Sequence, residues 1–338
     1  MNTSSTDLRP SGISTTRLQT LLARERATFI QRNPRSQALA ARAAEHLVFG
    51  VPLHWMNDWG TPFSLQVASA SGAQLTDVDG HCLADFCLGD TGAMFGHAPP
   101  AVTAALQRQA AKGLTTMLPN EDGAAVAELL AQRFGLPMWQ FAMTATDANR
   151  YVLRWLRAAT GRPVLLVFNG CYHGTVEDVF VDLVNGQAVQ RSSLLGQVHD
   201  LTQTTRVVEF NDLAALEAAL APGDVACVLA EPVMTNIGMV LPQDGFWQRA
   251  QALIQQHDAL LVLDETHTIS SGPGGYAQAH GLSPDAVVVG KPLGGGMPCA
   301  AYGFAAELAE RVVAAKRNAP PGERRRGGLS QRYSRHHP

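Results

Sequence analysis

Paired cysteines are missing from this chain. The five that occur, Cys82, Cys87, Cys171, Cys227 and Cys299, are odd in number, scattered, and never in a Cys-x-x-Cys spacing. This argues against a disulfide scaffold and a zinc site, and it fits a reducing cytosol. No apolar run approaches membrane-spanning length. The opening Met1-Asn2-Thr3-Ser4-Ser5-Thr6-Asp7 lacks a basic stretch followed by an apolar one, so no signal peptide is indicated. A net charge of −3 gives no global case for nucleic-acid or membrane binding. Several catalytic signatures are absent as well. There is no His-Glu-x-x-His, and no Gly-x-Ser-x-Gly elbow precedes a helix. Gly272-Pro273-Gly274-Gly275 does not lie between a strand and a helix as a dinucleotide loop requires. Asp285 and Pro292 stand where a P-loop around Gly290-Lys291 needs Gly and Ser or Thr. The expectation is a cytoplasmic protein with no metal, nucleic-acid or membrane partner.

What is present is a large apolar fraction, 46% of 338 residues, enough to bury a sizeable core and to form more than one domain. Residues 1–15 are polar and read as disordered. Apolar residues at helical spacing predict helices over Arg17–Gln31 and Ser36–Leu47. Residues 63–70 and 73–88 read as short strands around Asp77-Val78-Asp79-Gly80, with Asp-Gly as a turn signal. Gly96-His97-Ala98-Pro99-Pro100 breaks the chain before a helix near Ala101, and His97 there reads as a hydrogen-bonded structural residue. A further helix is expected over Asp122–Phe134. From Phe141 on, strands near 164–168, 206–210, 225–230, 259–263, 286–289 and 300–304 alternate with helices near 147–159, 212–220, 244–257 and 306–316. Such alternation implies an α/β fold with a mostly parallel sheet flanked by helices.

Four of these strands end in polar groups at the same edge of the sheet. Asn169-Gly170-Cys171-Tyr172-His173-Gly174 follows the first, and Glu231-Pro232, with Asn236 further on, follows the third. Asp264-Glu265-Thr266-His267 follows the fourth, and Lys291 follows the run Ala286-Val287-Val288-Val289. Any one could be a satisfied strand cap. Four together at carboxyl edges, with an acid and a lysine among them, are better explained as a site. A lysine in a half-buried place can act as a neutral amine on a carbonyl. Met143-Thr144-Ala145-Thr146-Asp147 precedes a helix whose first amides could hold an anion, although Thr before a helix is also an ordinary cap. Lysine nucleophile, acid, aromatic ring and anion cradle together are what a pyridoxal phosphate site requires.

In these stretches the chain resembles the class III aminotransferases, within them the glutamate-1-semialdehyde aminomutase branch, over roughly Ser36 to Lys316. The motifs are Asp77-Val78-Asp79-Gly80, Gly96-His97-Ala98-Pro99, Thr144 to Asn149, Gly170 to Gly174, Glu231-Pro232-Val233, Leu263 to Thr266, and Gly290-Lys291-Pro292-Leu293-Gly294-Gly295-Gly296-Met297-Pro298. The resemblance implies fold type I, a homodimer, and pyridoxal phosphate bound as a Schiff base on Lys291. It implies that Asp264 pairs with the ring nitrogen and that Thr144, Ala145 and Thr146 hold the phosphate. Tyr172, followed by His173, would stack on the ring, Asn236 would reach the ring hydroxyl, Thr266 would cover the other face, and Glu231 would lie behind. The catalytic set would be Lys291, Asp264 and Tyr172.

The chain also departs from that pattern. Thr144-Ala145-Thr146-Asp147 replaces the usual Ser-Gly-Thr-Glu, so the Ala145 methyl is expected to loosen the cradle. Thr266 and His267 replace apolar residues, and His267 is expected either to contact substrate or to pack. Near Pro320 an arginine-rich stretch replaces the family's continuation, which implies a truncated chain, as from a frameshifted or misread end, with its small domain incomplete. The expected organisation is a disordered 1–15, an N-terminal arm and small-domain segment over 16–90, a large cofactor-binding domain over 91–316, and a disordered basic tail over 317–338. The activity implied is transamination between an amino acid or amine and a keto acid or aldehyde. An intramolecular amine shift of the aminomutase type, or an inactive fragment that still binds the cofactor, are the alternatives.

Overall fold

In the computed structural model, residues 12–318 are described. The chain divides into two units. Of the described residues, one holds those up to Leu88 together with Phe95–Ala104, and the other holds Gly89–Met94 together with those from Ala105 to Asn318. The expectations for the arginine-rich end beyond residue 318, and for residues 1–11, lie outside the described residues. Two boundaries differ from the sequence reading. Helix α1 (Thr15–Arg32) begins inside the stretch read as disordered, because the Ser14 hydroxyl accepts from the Arg17 amide at 3.2 Å and caps it. At the other end, Arg317 and Asn318 still belong to a helix.

In the first unit the Asp-Val-Asp-Gly motif has a structural purpose. Helix α2 (Pro34–Ala44) starts at a proline and has no side-chain cap of its own. Its next two amides, Arg35 and Ser36, donate to the Asp79 carboxylate at 2.7 and 2.9 Å. Two residues earlier, Asp77 holds the His81 amide and ring, each at 2.8 Å. The pair closes the turn joining the second and third strands of an antiparallel meander, β1 (Val67–Ser71), β2 (Gln74–Asp77) and β3 (Cys82–Ala84). These strands are shorter than the sequence reading had them. His97 is the structural residue expected, its Nε2 lying 2.6 Å from Asp85. Helix α3 (Pro100–Ala110) follows it.

The second unit is built on a seven-stranded sheet. After helix α4 (Glu121–Phe134) come β4 (Met138–Ala142), α5 (Ala145–Thr160), β5 (Val164–Phe168), the hairpin β6 (Val181–Val184) and β7 (Gln187–Gln190), and β8 (Thr205–Val208). Then follow α6 (Leu213–Leu220), β9 (Val225–Ala230), α7 (Phe246–Gln256), β10 (Leu260–Asp264), α8 (Gly275–Ala279), β11 (Ala286–Val289), β12 (Ala300–Phe304) and α9 (Ala306–Asn318). The order across the sheet is β4-β12-β11-β10-β9-β5-β8, and β12 alone runs antiparallel to its neighbours β11 and β4. The residues of β5, β9, β11 and β12 are all buried. That is why these strands read as unbroken apolar runs rather than alternating ones.

Both faces of the sheet are covered. On one, α5 buries Ala148, Val152, Leu153 and Leu156 from a single stripe, and Val288 of β11 joins the same core. On the other, Leu130 and Phe134 of α4 pack with Val287 and Val289, the alternate residues of the same strand. The register is pinned where β10 meets β11. The Asp285 carboxylate accepts from the Leu261 amide at 2.8 Å, and the Asp285 amide donates to the Leu261 carbonyl at 2.9 Å.

Two elements were not anticipated. Strand β4, whose residues are only partly covered, looks from sequence like a short apolar stretch and is a strand by virtue of pairing with β12. The β6–β7 hairpin turns on Asn185-Gly186, both at positive φ, a pair that signals such a turn.

Candidate active site

Lys291 leaves the sheet immediately after β11, in a conformation unusual for a residue with a side chain. Its φ is +43°, in the left-handed region. Gly290 before it lacks a Cβ for a visible reason. A methyl there would come within 2.8 Å of the Ala145 Cβ at the start of α5. The lysine loop and the N-terminus of α5 are therefore in close contact. The Ala145 methyl, expected to loosen the cradle, lies close to Gly290.

The Lys291 amine has two partners. Its Nζ lies 2.8 Å from Nε2 of His267 and 3.2 Å from the Asp90 carboxylate. The other ring nitrogen of His267, Nδ1, lies 2.7 Å from the Thr91 hydroxyl. Burial, and then the Lys291 charge, hold the His267 pKa below its ordinary value, against opposing pulls from Asp90 and Asp264. Asp90 and Thr91 are delivered by an unusual loop in which Leu88, Gly89, Asp90 and Thr91 all have positive φ. Neither residue was singled out from the sequence. The only local signal is the run Gly89-Asp90-Thr91-Gly92, which places polar residues between glycines.

Asp264 closes β10 and is 4% exposed. One carboxylate oxygen accepts from Asn149 Nδ2 at 2.9 Å and pairs with His173 Nδ1 at 3.0 Å. The other accepts from the Thr266 amide at 3.1 Å. Burial alone would raise the Asp264 pKa. The hydrogen bond and charge of His173 outweigh it and bring the group down to about 2. For fully buried His173, desolvation is likewise outweighed by Asp264, and its pKa rises to about 10. Each member of the pair thus favours the charged form of the other. Asn149, on α5, ties that helix to β10 and is a site residue to which the sequence reading gave no role. The neighbouring Glu265 is structural. Its carboxylate accepts from the Tyr276 and Ala277 amides at 2.9 and 2.7 Å and so caps α8.

At the start of α5 the Thr144 hydroxyl accepts from the Asp147 amide at 3.1 Å. The first helical hydrogen bond runs from Ala148 to the Thr144 carbonyl at 3.0 Å. The amides of Ala145 and Thr146 precede it and have no partner within the helix. Thr146 accepts from the Thr175 amide at 3.1 Å through its hydroxyl, and Gly174 lets the two segments approach: a Cβ there would lie 2.9 Å from the Thr146 Cα. Tyr172 is 42% exposed, and its hydroxyl pKa is raised by burial and then by Asp90. Asn236 donates to the Gly170 carbonyl at 3.1 Å, a contact that braces the Tyr172 loop. Glu231 is buried, accepts from Thr235 through one oxygen, and has its pKa raised chiefly by desolvation.

These residues fit the group that the resemblance implies. A carboxylate has about four acceptor positions, and Asp264 uses three, leaving one for a protonated ring nitrogen. The helix start offers free amides to a phosphate, and Tyr172 offers an aromatic face. Among the described residues, Asn149 Oδ1, His173 Nε2, Glu231 Oε1 and Thr266 Oγ1 are buried without a hydrogen-bond partner. All four belong to Asp264's surroundings or to the adjoining strand ends.

Comparison with known proteins agrees. The family model for class-III aminotransferases matches residues 55–319. Glutamate-1-semialdehyde 2,1-aminomutase of Roseiflexus castenholzii is 38% identical over 254 residues, covering 74% of this chain and 58% of that protein. The chain thus spans less than two thirds of that relative's length. A crystal structure of a glutamate-1-semialdehyde-aminomutase from Pseudomonas aeruginosa superposes with a TM-score of 0.88 at 49% identity, covering 92% of this chain and 69% of that one. A lysine-to-alanine variant of the Pseudomonas protein was solved in complex with PMP. An omega-transaminase from Sphaerobacter thermophilus gives a TM-score of 0.78 at 29% identity over 83% of this chain and 66% of its own.

Proposed function

This chain belongs to the class-III aminotransferase family, and on that footing we propose that it binds pyridoxal phosphate at Lys291 and transfers an amino group between an amino acid or amine and a keto acid or aldehyde. One observation carries the reading: a buried Asp264, paired with His173, ends β10 while Lys291 follows the next strand, against the α5 N-terminus. When bound, the cofactor supplies an aldehyde that takes up amines and a ring that withdraws electrons from the adjoining carbon. Asp264 keeps a proton on the ring nitrogen, and His173 and Asn149 keep Asp264 ionised and aimed. The Ala145 and Thr146 amides hold the phosphate, with Thr144 capping the helix behind them. Tyr172 and Thr266 would be the residues to flank the ring, with Asn236 and Glu231 beside them. Lys291 would supply the amine that holds the cofactor and, as a neutral amine, would be placed to carry a proton.

A second reading, intramolecular amine transfer, uses the same residues and is favoured by the names of the relatives. The chain has only three lysines, Lys112, Lys291 and Lys316, so the test is well resolved. Reduction with borohydride after adding pyridoxal phosphate is expected to label Lys291 alone. Label spread over all three, or none, would mean that this chain does not form the cofactor site and is inert. Turnover that requires an added keto acid identifies a transaminase, and turnover without one the intramolecular reaction.

A homodimer in the cytoplasm completes the proposal. No described helix is long and apolar enough to cross a membrane. Leu114, Met117 and Leu118 are 69, 84 and 75% exposed in one segment before α4, apolar surface of the kind a partner covers. Sedimentation at one chain mass would exclude the dimer.

A further inference from the structure

We infer that His267 is the immediate proton-exchange partner of Lys291, a second acid–base residue of the site. The inference rests on Lys291 being the reacting amine. An ordinary lysine is overwhelmingly protonated near neutrality, its pKa being about 10.4, and an ammonium can neither attack a carbonyl nor remove a proton. Something must hold that proton and give it back. The Lys291 Nζ to His267 Nε2 separation, 2.8 Å, is a direct hydrogen bond with no intervening group. With Lys291 as ammonium, Nε2 is the acceptor. A neutral imidazole then carries its own hydrogen on Nδ1, where it donates to the Thr91 hydroxyl at 2.7 Å. The donor-only Lys291 ammonium therefore sets the tautomer, and the Thr91 hydroxyl, which can accept as well as donate, accommodates it.

The transfer is balanced within the pair. The N–H bond on Nζ breaks, a new one forms at Nε2, and the charge passes from ammonium to imidazolium without another reagent. The charged groups facing His267 are Lys291, Asp90 and Asp264. The two carboxylates support the imidazolium once the lysine is neutral, with Asp90 4.0 Å from Nε2. Lysine charge and burial oppose it beforehand, so His267 accepts a proton readily only as Lys291 gives one up. Of the roles open to His267, its distance to Nζ assigns it to the amine.

The test begins without cofactor. Protein labelled with 13C at lysine Cε gives three lysine signals, and loss of one in Lys291→Ala assigns Lys291. Its shift is expected to show a second inflection below pH 6.5, where His267 charges, and that inflection should vanish in His267→Gln. In Thr91→Val, which keeps the imidazole but removes the hydrogen-bond partner of its Nδ1, the inflection should move. In the loaded enzyme, His267→Gln should still be labelled at Lys291 by borohydride. Its turnover should fall roughly 10²-fold with an enlarged isotope effect for substrate deuterated at the reacting carbon. A Lys291 signal that titrates identically in wild type and His267→Gln overturns the inference, as does an unchanged isotope effect. Failure of wild-type Lys291 to take the label overturns instead the reading on which it rests.

Discussion

The Asp264–His173 pair shows what a single buried contact does to the chemistry around it. Neither residue could stay charged there alone, and each holds the other's charge in place. Replacing Asp264 by Ala leaves His173 buried without its partner and obliges it to give up its proton, and the expected loss is about 3–5 kcal/mol, measured by urea unfolding. The pair also sets a pH dependence. Asp264 binds its proton more weakly folded than unfolded. Its contribution is full above the ordinary carboxylate range near 4 and is lost as pH falls through about 2. His173 binds its proton more tightly folded, so its contribution is full below about 6.5 and is lost as pH rises through about 10. The urea midpoint is therefore expected to fall between pH 6.5 and 10, and His173→Gln should remove that part of the slope. A wild-type midpoint flat over this range would contradict the pairing. Lys291 and Asp264 were legible in the sequence because each interrupts an apolar run at a strand end. Asn149 and Thr91 were not, because their partners are 115 and 176 residues away along the chain.

Among the elements, α5 does the most. It buries an apolar stripe against the sheet, presents two unpaired amides at its start, and sends Asn149 to Asp264. Its first residue, Ala145, sets how near the lysine loop can come. Gly290→Ala is expected to cost about 1–3 kcal/mol because the two methyls would collide, and it should weaken cofactor binding as the loop is displaced. Ala145→Gly in the same chain should restore much of both, a coupling that a double-mutant cycle measures. Additive effects would show that the loop yields elsewhere. Most strands were readable because those buried on both faces are unbroken runs of Val, Leu and Ala. β4 and the β6–β7 hairpin were not, since partly exposed strands owe their existence to pairing, which no local pattern records.

At the scale of the whole molecule, the two-sided burial of the sheet makes it a rigid base for mobile chemistry. Leu261, buried within β10, illustrates the reserve: truncation to Ala is expected to cost about 2–5 kcal/mol in the unfolding transition. That reserve bears on the left-handed backbone of Lys291. A residue with a side chain pays about 1–2 kcal/mol there, a penalty glycine escapes. Of two variants that both lack the amine, Lys291→Gly should therefore melt higher than Lys291→Ala, and an equal or reversed order would refute the strain. It follows that selection for folding alone would drift this position towards glycine. Use of the amine is what would oppose that drift, so a glycine here in a descendant would mark the point at which the chemistry was abandoned while the fold was kept.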